Sequence, residues 1–152
     1  MELTSAAFKA GEAIPARYTC DGRNVSPPLQ WTGVPPEARS LVLMVDDPDA
    51  PSGDWVHWIV YDLPPGMTAL AEDVPATAAP GETGKQGVND FKKPGYGGPC
   101  PPGGKAHRYF FRLYALDAAL DLKSGATKKE VAAAMARHIV AQTQLMGIYT
   151  RK

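Results

Sequence analysis

The sequence predicts a mainly β fold, an antiparallel β-sandwich with one α-helix on its flank in the C-terminal region. Two observations predict it. Short apolar segments recur along the chain and turn residues separate them, since Gly and Pro number 15 each among 152 residues. A helical signal is convincing only once, late in the chain, after most of the strand-like segments. Strands at short intervals followed by a single helix are typical of a sandwich with a helix on one side.

Length and charge limit what the chain can be. At 152 residues we expect one domain, 1–152, able to bury an ordinary hydrophobic core. The chain carries 16 basic and 16 acidic residues, so it lacks the basic balance that nucleic-acid binding needs. No apolar run approaches the roughly 20 residues of a membrane span, and Met1–Thr4 has no signal-peptide features. We therefore expect a cytoplasmic protein with no nucleic-acid partner and no membrane span.

The two cysteines, Cys20 and Cys100, permit at most one disulfide. Because a reducing cytosol keeps thiols reduced, we expect two free thiols. Cys20 lies in the polar loop Tyr18–Trp31, which has two interpretations, a surface loop or a segment packed under a functional site. A cysteine enzyme would use Cys100 as its nucleophile, but no activating helix start and no nucleophile elbow accompany it. An inert or redox-capable thiol is therefore favoured.

The stretch from Leu41 to Pro64 organises the chain as strand, acidic proline turn and strand. Leu41–Val45 is a continuous apolar run, typical of a strand buried on both faces, and the prolines of the following turn prevent further ladder pairing. Such a hairpin would bring the Asp47 turn close to His57, forming a polar site in an apolar wall. A regular second strand would place on one face Trp55, His57, Ile59 and Tyr61, and on the other Val56, Trp58, Val60 and Asp62.

A second dense segment, Gly95–Leu116, is a glycine- and proline-rich loop that leads into a strand. The prolines fix the loop's shape, while the glycines let backbone N–H groups approach a bound group closely. The segment is not a phosphate-binding helix-start loop, because no Gly-Lys-Ser/Thr follows and the next element is a strand. Alternation along that strand predicts one face with His107, Tyr109, Phe111 and Leu113, and the other with Arg108, Phe110, Arg112 and Tyr114.

The helix begins at a capping box, Thr127–Glu130. Helical spacing continues through Val131, Met135, His138, Ile139 and Gln142, which predicts a helix that ends before Gly147 and a short last strand at Ile148–Thr150. On this helix we expect His138 to pack in the core and the side chains of Lys128 and Lys129 to be solvated. Trp31 and Trp58 are also expected in the core.

Two long motifs resemble those of the phosphatidylethanolamine-binding protein family, in its bacterial and archaeal branch of Raf-kinase-inhibitor-like proteins. The first motif is Asp47–Ser52 followed by Trp55–Trp58, and the second is Gly95–Gly103 followed by His107–Tyr109. Shorter matches are Cys20–Gly22, Ser26–Leu29, Gly87–Phe91 and Gly147–Tyr149. The resemblance spans nearly the whole chain.

The resemblance implies a β-sandwich with a small anion pocket at one end. By motif, that pocket would be lined by Asp47, Pro51, Trp55, His57, Gly98, Pro101, Pro102, His107 and Tyr109. In the eukaryotic branch the pocket receives the phosphate of phospholipid head groups, and some members inhibit kinases or serine proteases. The chain departs from that branch by lacking its C-terminal helical extension. It also has a shorter segment between Ser52 and Trp55, which narrows one rim of the pocket.

These residue types suit a phosphate-like ligand. We expect His57 and His107 to donate to its oxygens, Tyr109 to add a hydroxyl, and backbone N–H groups near Gly98 to complete the cradle. Asp47 would hold one imidazole in the useful tautomer, or accept from a ligand ammonium or a protonated phosphate oxygen. Asp49 and Arg108 are expected to form a structural ion pair that supports the two motifs, worth about 3–5 kcal/mol if it is buried.

The function that follows is non-catalytic binding of a small anionic, phosphorylated ligand, with no cofactor. The rival is a protein-interaction module that inhibits a kinase or a serine protease, and a homodimer stays open. Each histidine alone would more simply be a core residue, but two of them beside proline turns favour a site. Iron or zinc bound by two histidines and a carboxylate is a weaker alternative, because the spacing is not diagnostic.

Overall fold

A computed structural model describes residues 1–76, 79–80 and 84–152, and arranges them as two antiparallel sheets with one short helix. Three strands form a small sheet in the order β1-β2-β5, and five form a larger sheet in the order β6-β4-β3-β7-β8. The strands are β1 Glu2–Thr4, β2 Leu29–Thr32, β3 Ser40–Asp47, β4 Trp55–Leu63, β5 Ala69–Leu70, β6 Lys85–Gln86, β7 Ala106–Leu116 and β8 Ile139–Thr150. The helix is α1 Lys128–Met135, and a single 3₁₀ turn spans Ala16–Tyr18. The predicted sandwich with one flanking helix is confirmed.

The strands β3 and β4 of the larger sheet are buried on both faces, and β3 lies at the centre of the sheet. Every residue of β3 is buried, as the continuous apolar run predicts. One face packs with the small sheet in a core that contains Leu41, Leu43, Val45, Trp31 and Trp58. The other face packs against α1 in a core that contains Val42, Met44, Ile59, Val131 and Met135. Each such fully buried side chain contributes about 1.5–3 kcal/mol, so both faces hold the central strands firmly in register.

The helix is shorter than the sequence predicts. Its capping box is confirmed, since the Thr127 side chain accepts from the Glu130 N–H and Glu130 accepts from the Thr127 N–H. The helix ends at Met135, however, and the residues from Ile139 onward form a 12-residue strand that pairs with β7 along its full length. The predicted helical spacing through Ile139 and Gln142 is therefore wrong. Pairing with β7 prevails over the weak helical pattern, and β-branched Ile139, Val140 and Thr143 favour a strand.

Two side chains near this helix differ from expectation. His138 is not in the core: its ring is 44% exposed and its Nδ1 lies 2.8 Å from Asp117 Oδ1. Lys128 is not simply solvated, because its Nζ lies 2.8 Å from buried Asp46 Oδ2 and also contacts Asp54. Asp46 needs such partners, since a buried carboxylate without compensating charge is costly.

The expectation of two free thiols is wrong, because Cys20 and Cys100 form a disulfide. Their Cα atoms lie 5.3 Å apart although 80 residues separate them in sequence. Backbone contacts already bring the two loops together, as the Cys20 N–H donates to the Pro99 carbonyl at 3.0 Å. The Tyr18–Asn24 end of the Tyr18–Trp31 loop packs against the Gly95–Gly103 segment. Because that segment belongs to the second motif, this contact favours a loop packed under the site over a loop that only covers the surface. Disulfides occur in oxidising compartments and also in intracellular proteins of hyperthermophiles, so the cytoplasmic location stays a prediction.

A β-bulge in β4 changes the direction of His57. Val45 pairs with Trp58 and Asp46 with Val56, so His57 is an extra residue on its strand. The predicted common face of His57 with Ile59 and Tyr61 is therefore wrong, because those two pack on the α1 side while His57 contacts Tyr109 on the opposite face. Bulges re-aim side chains in this way and are frequent beside functional sites.

Candidate functional site

A cavity of about 280 Å³ opens where the β3–β4 turn, the start of β4 and the start of β7 meet. It is lined by eight of the nine residues predicted from the sequence, namely Asp47, Pro51, Trp55, His57, Pro101, Pro102, His107 and Tyr109. Three separate stretches of chain supply them. Residues of both motifs therefore line one cavity, as the pocket implied by the resemblance requires.

Gly98 is the predicted lining residue that the cavity does not include. Its N–H donates to Asn24 Oδ1 at 2.8 Å, so that group is already occupied. A Cβ at this position would lie 2.3 Å from the carbonyl oxygen of Tyr18, which explains why the chain needs glycine here. Gly97 is also occupied, since its N–H donates to the His57 carbonyl at 2.9 Å. The N–H groups of both glycines are therefore used within the protein, and the expected backbone cradle near Gly98 is not observed.

Four further lining residues, which sequence reasoning did not assign to the pocket, are Ala50, Ser52, Phe91 and Cys100. Phe91 packs edge-on against Trp55 and His57, with ring centroids 5.5 and 5.4 Å apart. It is 38% exposed, although large apolar side chains usually are buried. The only sequence signal for Phe91 is that it belongs to the Gly87–Phe91 segment that matches the family. The spacing of that segment does not indicate that the Phe91 side chain reaches the pocket.

His107 and Asp47 form a buried pair at one side of the cavity. Their exposures are 4% and 3%, and His107 Nδ1 lies 2.7 Å from Asp47 Oδ2. The other carboxylate oxygen, Oδ1, accepts from the Asp49 N–H at 2.8 Å. Because the carboxylate accepts on both oxygens, Nδ1 of His107 carries the hydrogen and Nε2 is the nitrogen left for a ligand. Of the two roles predicted for Asp47, orienting an imidazole is the one that this geometry favours.

His57 is held by the loop instead of by a carboxylate. Its Nδ1 lies 2.6 Å from the Gly97 carbonyl oxygen, which can only accept, so Nδ1 is the protonated nitrogen. Burial lowers the pKa of His57 below its ordinary value of 6.5, and the Gly97 carbonyl opposes this shift only partly. At neutral pH the free ring is therefore mainly neutral, with a lone pair on Nε2.

Two buried donors in the same cavity have no hydrogen-bond partner within the part of the chain that the structure describes: the Tyr109 hydroxyl and the Trp55 indole N–H. Burial and then the nearby negative charge of Asp47 raise the pKa of Tyr109, so its hydroxyl stays protonated. Although Asp47 lies close enough to affect that pKa, the hydroxyl makes no hydrogen bond of acceptable geometry to it. An unsatisfied buried donor costs about 1–3 kcal/mol. Both groups are therefore available to a ligand that accepts hydrogen bonds.

The predicted ion pair between Asp49 and Arg108 is present at the rim. Arg108 donates three times to the Asp49 carboxylate, from its backbone N–H at 3.0 Å, from Nε at 2.9 Å and from Nη2 at 2.8 Å. These bonds lower the pKa of Asp49 to about 2. The side chains are 52% and 28% exposed, however, so the value of a buried pair does not apply and a contribution of about 1 kcal/mol or less is expected.

Two features of the described residues bear on metal binding and on membrane insertion. Across residues 1–76, 79–80 and 84–152, no three His, Cys, Asp or Glu side chains are grouped so that they could hold a metal ion. Within the same ranges, no helix is long and apolar enough to cross a membrane.

Comparison with known proteins decides the family. The family model described as phosphatidylethanolamine-binding protein matches residues 4–150. The chain belongs to the phosphatidylethanolamine-binding protein family. This confirms the resemblance that the two motifs indicate.

One relative and two crystal structures match this chain over nearly their whole length. A UPF0098 protein of Methanothermobacter thermautotrophicus is 53% identical over 151 residues, which is 99% of each chain. The crystal structure of a homologue of the family from Chlamydia trachomatis, CT736, is 45% identical with a TM-score of 0.90 and covers 99% of this chain and 97% of its own. The crystal structure of Escherichia coli YbcL is 34% identical with a TM-score of 0.92, over 99% and 98% of the two chains. The fold is therefore shared with the two crystal structures, and the family with all three proteins.

Proposed function

We propose that the cavity binds a small anionic group of the phosphate type and that the protein does not transform it. The observation that carries this proposal is a pair of buried donors in the same cavity as two imidazoles. The donors are the Tyr109 hydroxyl and the Trp55 indole N–H, and neither has a partner among the residues that the structure describes. Charged oxygens are the acceptors that compensate such donors best, because charge-assisted hydrogen bonds are roughly twice as strong as neutral ones.

The size and the walls of the cavity support a small ligand group. Its volume of about 280 Å³ is just below the usual range for drug-sized ligands, about 300–1,000 Å³. The wall is largely apolar, with Pro51, Pro101, Pro102 and Phe91 around the polar groups. An apolar wall of prolines lowers the local dielectric and strengthens the few hydrogen bonds to an anion.

The absence of catalysis is part of the proposal. The cysteine mechanism considered above requires a thiolate at Cys100, and Cys100 is engaged in the disulfide with Cys20. The His107–Asp47 pair resembles the orienting half of a hydrolase triad, but the pair alone supplies no nucleophile. Inhibition of a kinase or a serine protease, and a homodimer, stay predictions.

The test is calorimetric titration with inorganic phosphate near pH 6, using the histidines as matched variants. Replacing His107 with Gln should weaken phosphate binding about tenfold or more, because it removes one of the groups facing the anion. Replacing exposed His138 with Gln should leave the affinity unchanged, since His138 lies outside the residues that line the cavity. No heat of binding with the wild-type protein, or equal losses in the two variants, would overturn the proposal.

A further inference from the structure

The accepting nitrogen of His57 restricts which anions fit the cavity. The ring is fixed, because Nδ1 donates to the Gly97 carbonyl at 2.6 Å and the Gly97 N–H donates back to the His57 carbonyl at 2.9 Å. Phe91 and Tyr109 pack edge-on against it, with centroids 5.4 and 5.2 Å away. Nε2 has no hydrogen-bond partner among the described residues, so it presents a lone pair.

The groups around His57 do not favour a positive charge on it. Asp47 is already occupied by His107 and by the Asp49 N–H, so no described carboxylate oxygen hydrogen-bonds the His57 ring. The remaining attraction from the two aspartates of β3 is weaker than the effect of burial, which lowers the pKa of the ring. The groups that face it are Asp46 and Asp47 from β3, His107 and Tyr109 from β7, and the Gly97 carbonyl from the loop.

The cavity therefore combines donors with an acceptor. Tyr109 and Trp55 offer O–H and N–H groups, His57 offers a lone pair, and Nε2 of His107 is the further nitrogen left for a ligand. An anion without a hydrogen would place an oxygen lone pair against that of Nε2, and it would bind only after His57 takes up a proton. An anion with an O–H group can donate to Nε2 while its charged oxygens accept from the two donors.

We propose that the cavity selects phosphate monoester monoanions, which carry an O–H group, over phosphodiesters and sulfate esters, which carry none. This inference rests on the proposed function and names the chemical form of the ligand. The shared chemistry is a terminal phosphate group, either on a small soluble compound or on a lipid such as phosphatidic acid. The phosphodiester of an intact phosphatidylethanolamine head group lacks that hydrogen and would be disfavoured.

Three probes test the proposal near pH 6 by calorimetry: methyl phosphate, methyl sulfate and dimethyl phosphate. About half of the methyl phosphate is the singly charged O–H form at that pH, and the other two probes carry one negative charge and no O–H group. Methyl phosphate and methyl sulfate have nearly the same size, so the O–H group is the main difference between them. Methyl phosphate should bind at least about tenfold more tightly than either of the others. Its affinity should fall about tenfold per unit as the pH rises well above the second ionisation of a phosphate monoester, near 6, because the O–H form disappears.

Variants separate failure of this inference from failure of the proposed function. Replacing His57 with Gln supplies an amide N–H that can donate, so the preference for methyl phosphate over methyl sulfate should shrink to about twofold. His138→Gln should keep the wild-type preference. Equal affinity of the wild-type protein for methyl phosphate and methyl sulfate would overturn the selection of the O–H form while leaving anion binding intact. No binding of any of the three probes would overturn both.

Short-chain lipids identify the source of the terminal phosphate. Dihexanoyl phosphatidic acid, a monoester, should compete with methyl phosphate at least about tenfold better than dihexanoyl phosphatidylethanolamine, a diester. If dihexanoyl phosphatidic acid binds more tightly than methyl phosphate, the natural ligand is a lipid that carries a terminal phosphate. If the two bind equally tightly, the natural ligand is a small soluble compound. Better competition by phosphatidylethanolamine would contradict the inference.

Discussion

Replacing Tyr109 with Phe should separate ligand binding from stability. The hydroxyl is buried without a hydrogen-bond partner among the described residues, so in the free protein it costs about 1–3 kcal/mol unless water reaches it. Removing it should leave the free energy of unfolding unchanged or raise it by about 1 kcal/mol, because the ring itself and its packing are retained. A rise of that size would increase the melting temperature by about 2–4 °C in a chain of this length.

The same substitution should weaken phosphate binding. A hydrogen bond to a charged oxygen contributes about 1.5–3 kcal/mol, so the dissociation constant should increase by about 10- to 150-fold. Calorimetric titration with phosphate and thermal unfolding without it measure the two effects on one preparation. Tyr114→Phe is the matched control, because Tyr114 lies on the same strand outside the cavity. A Tyr109→Phe variant that binds phosphate as tightly as the wild type, or that unfolds more easily by 1 kcal/mol or more, would refute the reasoning.

Three further predictions concern the frame of the site. Joint replacement of Cys20 and Cys100 with Ser should lower the free energy of unfolding by about 4 kcal/mol, since the disulfide closes a loop of about 80 residues. Denaturant unfolding measures this loss. Adding a reductant should destabilise the wild type and leave the double variant unchanged. Gly98→Ala should destabilise the protein by about 1–3 kcal/mol, because its Cβ would lie 2.3 Å from a backbone carbonyl oxygen. Gly66→Ala, with open space around it, should be neutral, and equal melting temperatures of the two alanine variants would contradict the packing argument. Arg108→Ala should cost about 1 kcal/mol or less, because its ion pair is exposed, and a loss above 3 kcal/mol would be inconsistent with that exposure.

The pH dependence of the rim pair follows from the direction of its shift. Bonds from Arg108 lower the pKa of Asp49 to about 2, so the ionised form is favoured in the folded protein. The stabilisation is fully present above the ordinary pKa of an aspartate, about 4, and disappears as the pH falls toward 2. Acid unfolding of Asp49→Asn should therefore lack this component, and a wild-type-like acid profile would contradict the assignment.

Sequence reasoning located the pocket because its residues lie in two compact motifs. Asp47 and His57 belong to one, and His107 and Tyr109 to the other, and the turn residues between strands indicate where each motif leaves the sheet. Their roles were harder to predict. The direction of His57 depends on a bulge, and a bulge changes the strand register by one residue without any composition signal that periodicity can detect.

The errors at the C-terminal end and in the loops have a common origin in long-range contacts. The helical spacing through Ile139 and Gln142 favours continuation of the helix. The segment Ile139–Thr150 is a strand because it pairs with β7 along the whole of that strand. The disulfide joins Cys20 and Cys100, which are 80 residues apart in sequence. No local sequence pattern predicts whether two such distant cysteines come together in the fold. Gly98 was expected to cradle a ligand, but a loop from the N-terminal region, through Asn24, occupies its N–H.

The indole N–H groups of the three tryptophans test the central claim most directly. Trp31 donates to the Met67 carbonyl and Trp58 to Gln86 Oε1, both at 2.8 Å, whereas the Trp55 indole N–H has no partner among the described residues. In a ¹H–¹⁵N correlation spectrum, phosphate near pH 6 should shift the Trp55 indole signal and leave those of Trp31 and Trp58 in place. A Trp55 signal that does not move at saturating phosphate would contradict the claim that this cavity holds the anion.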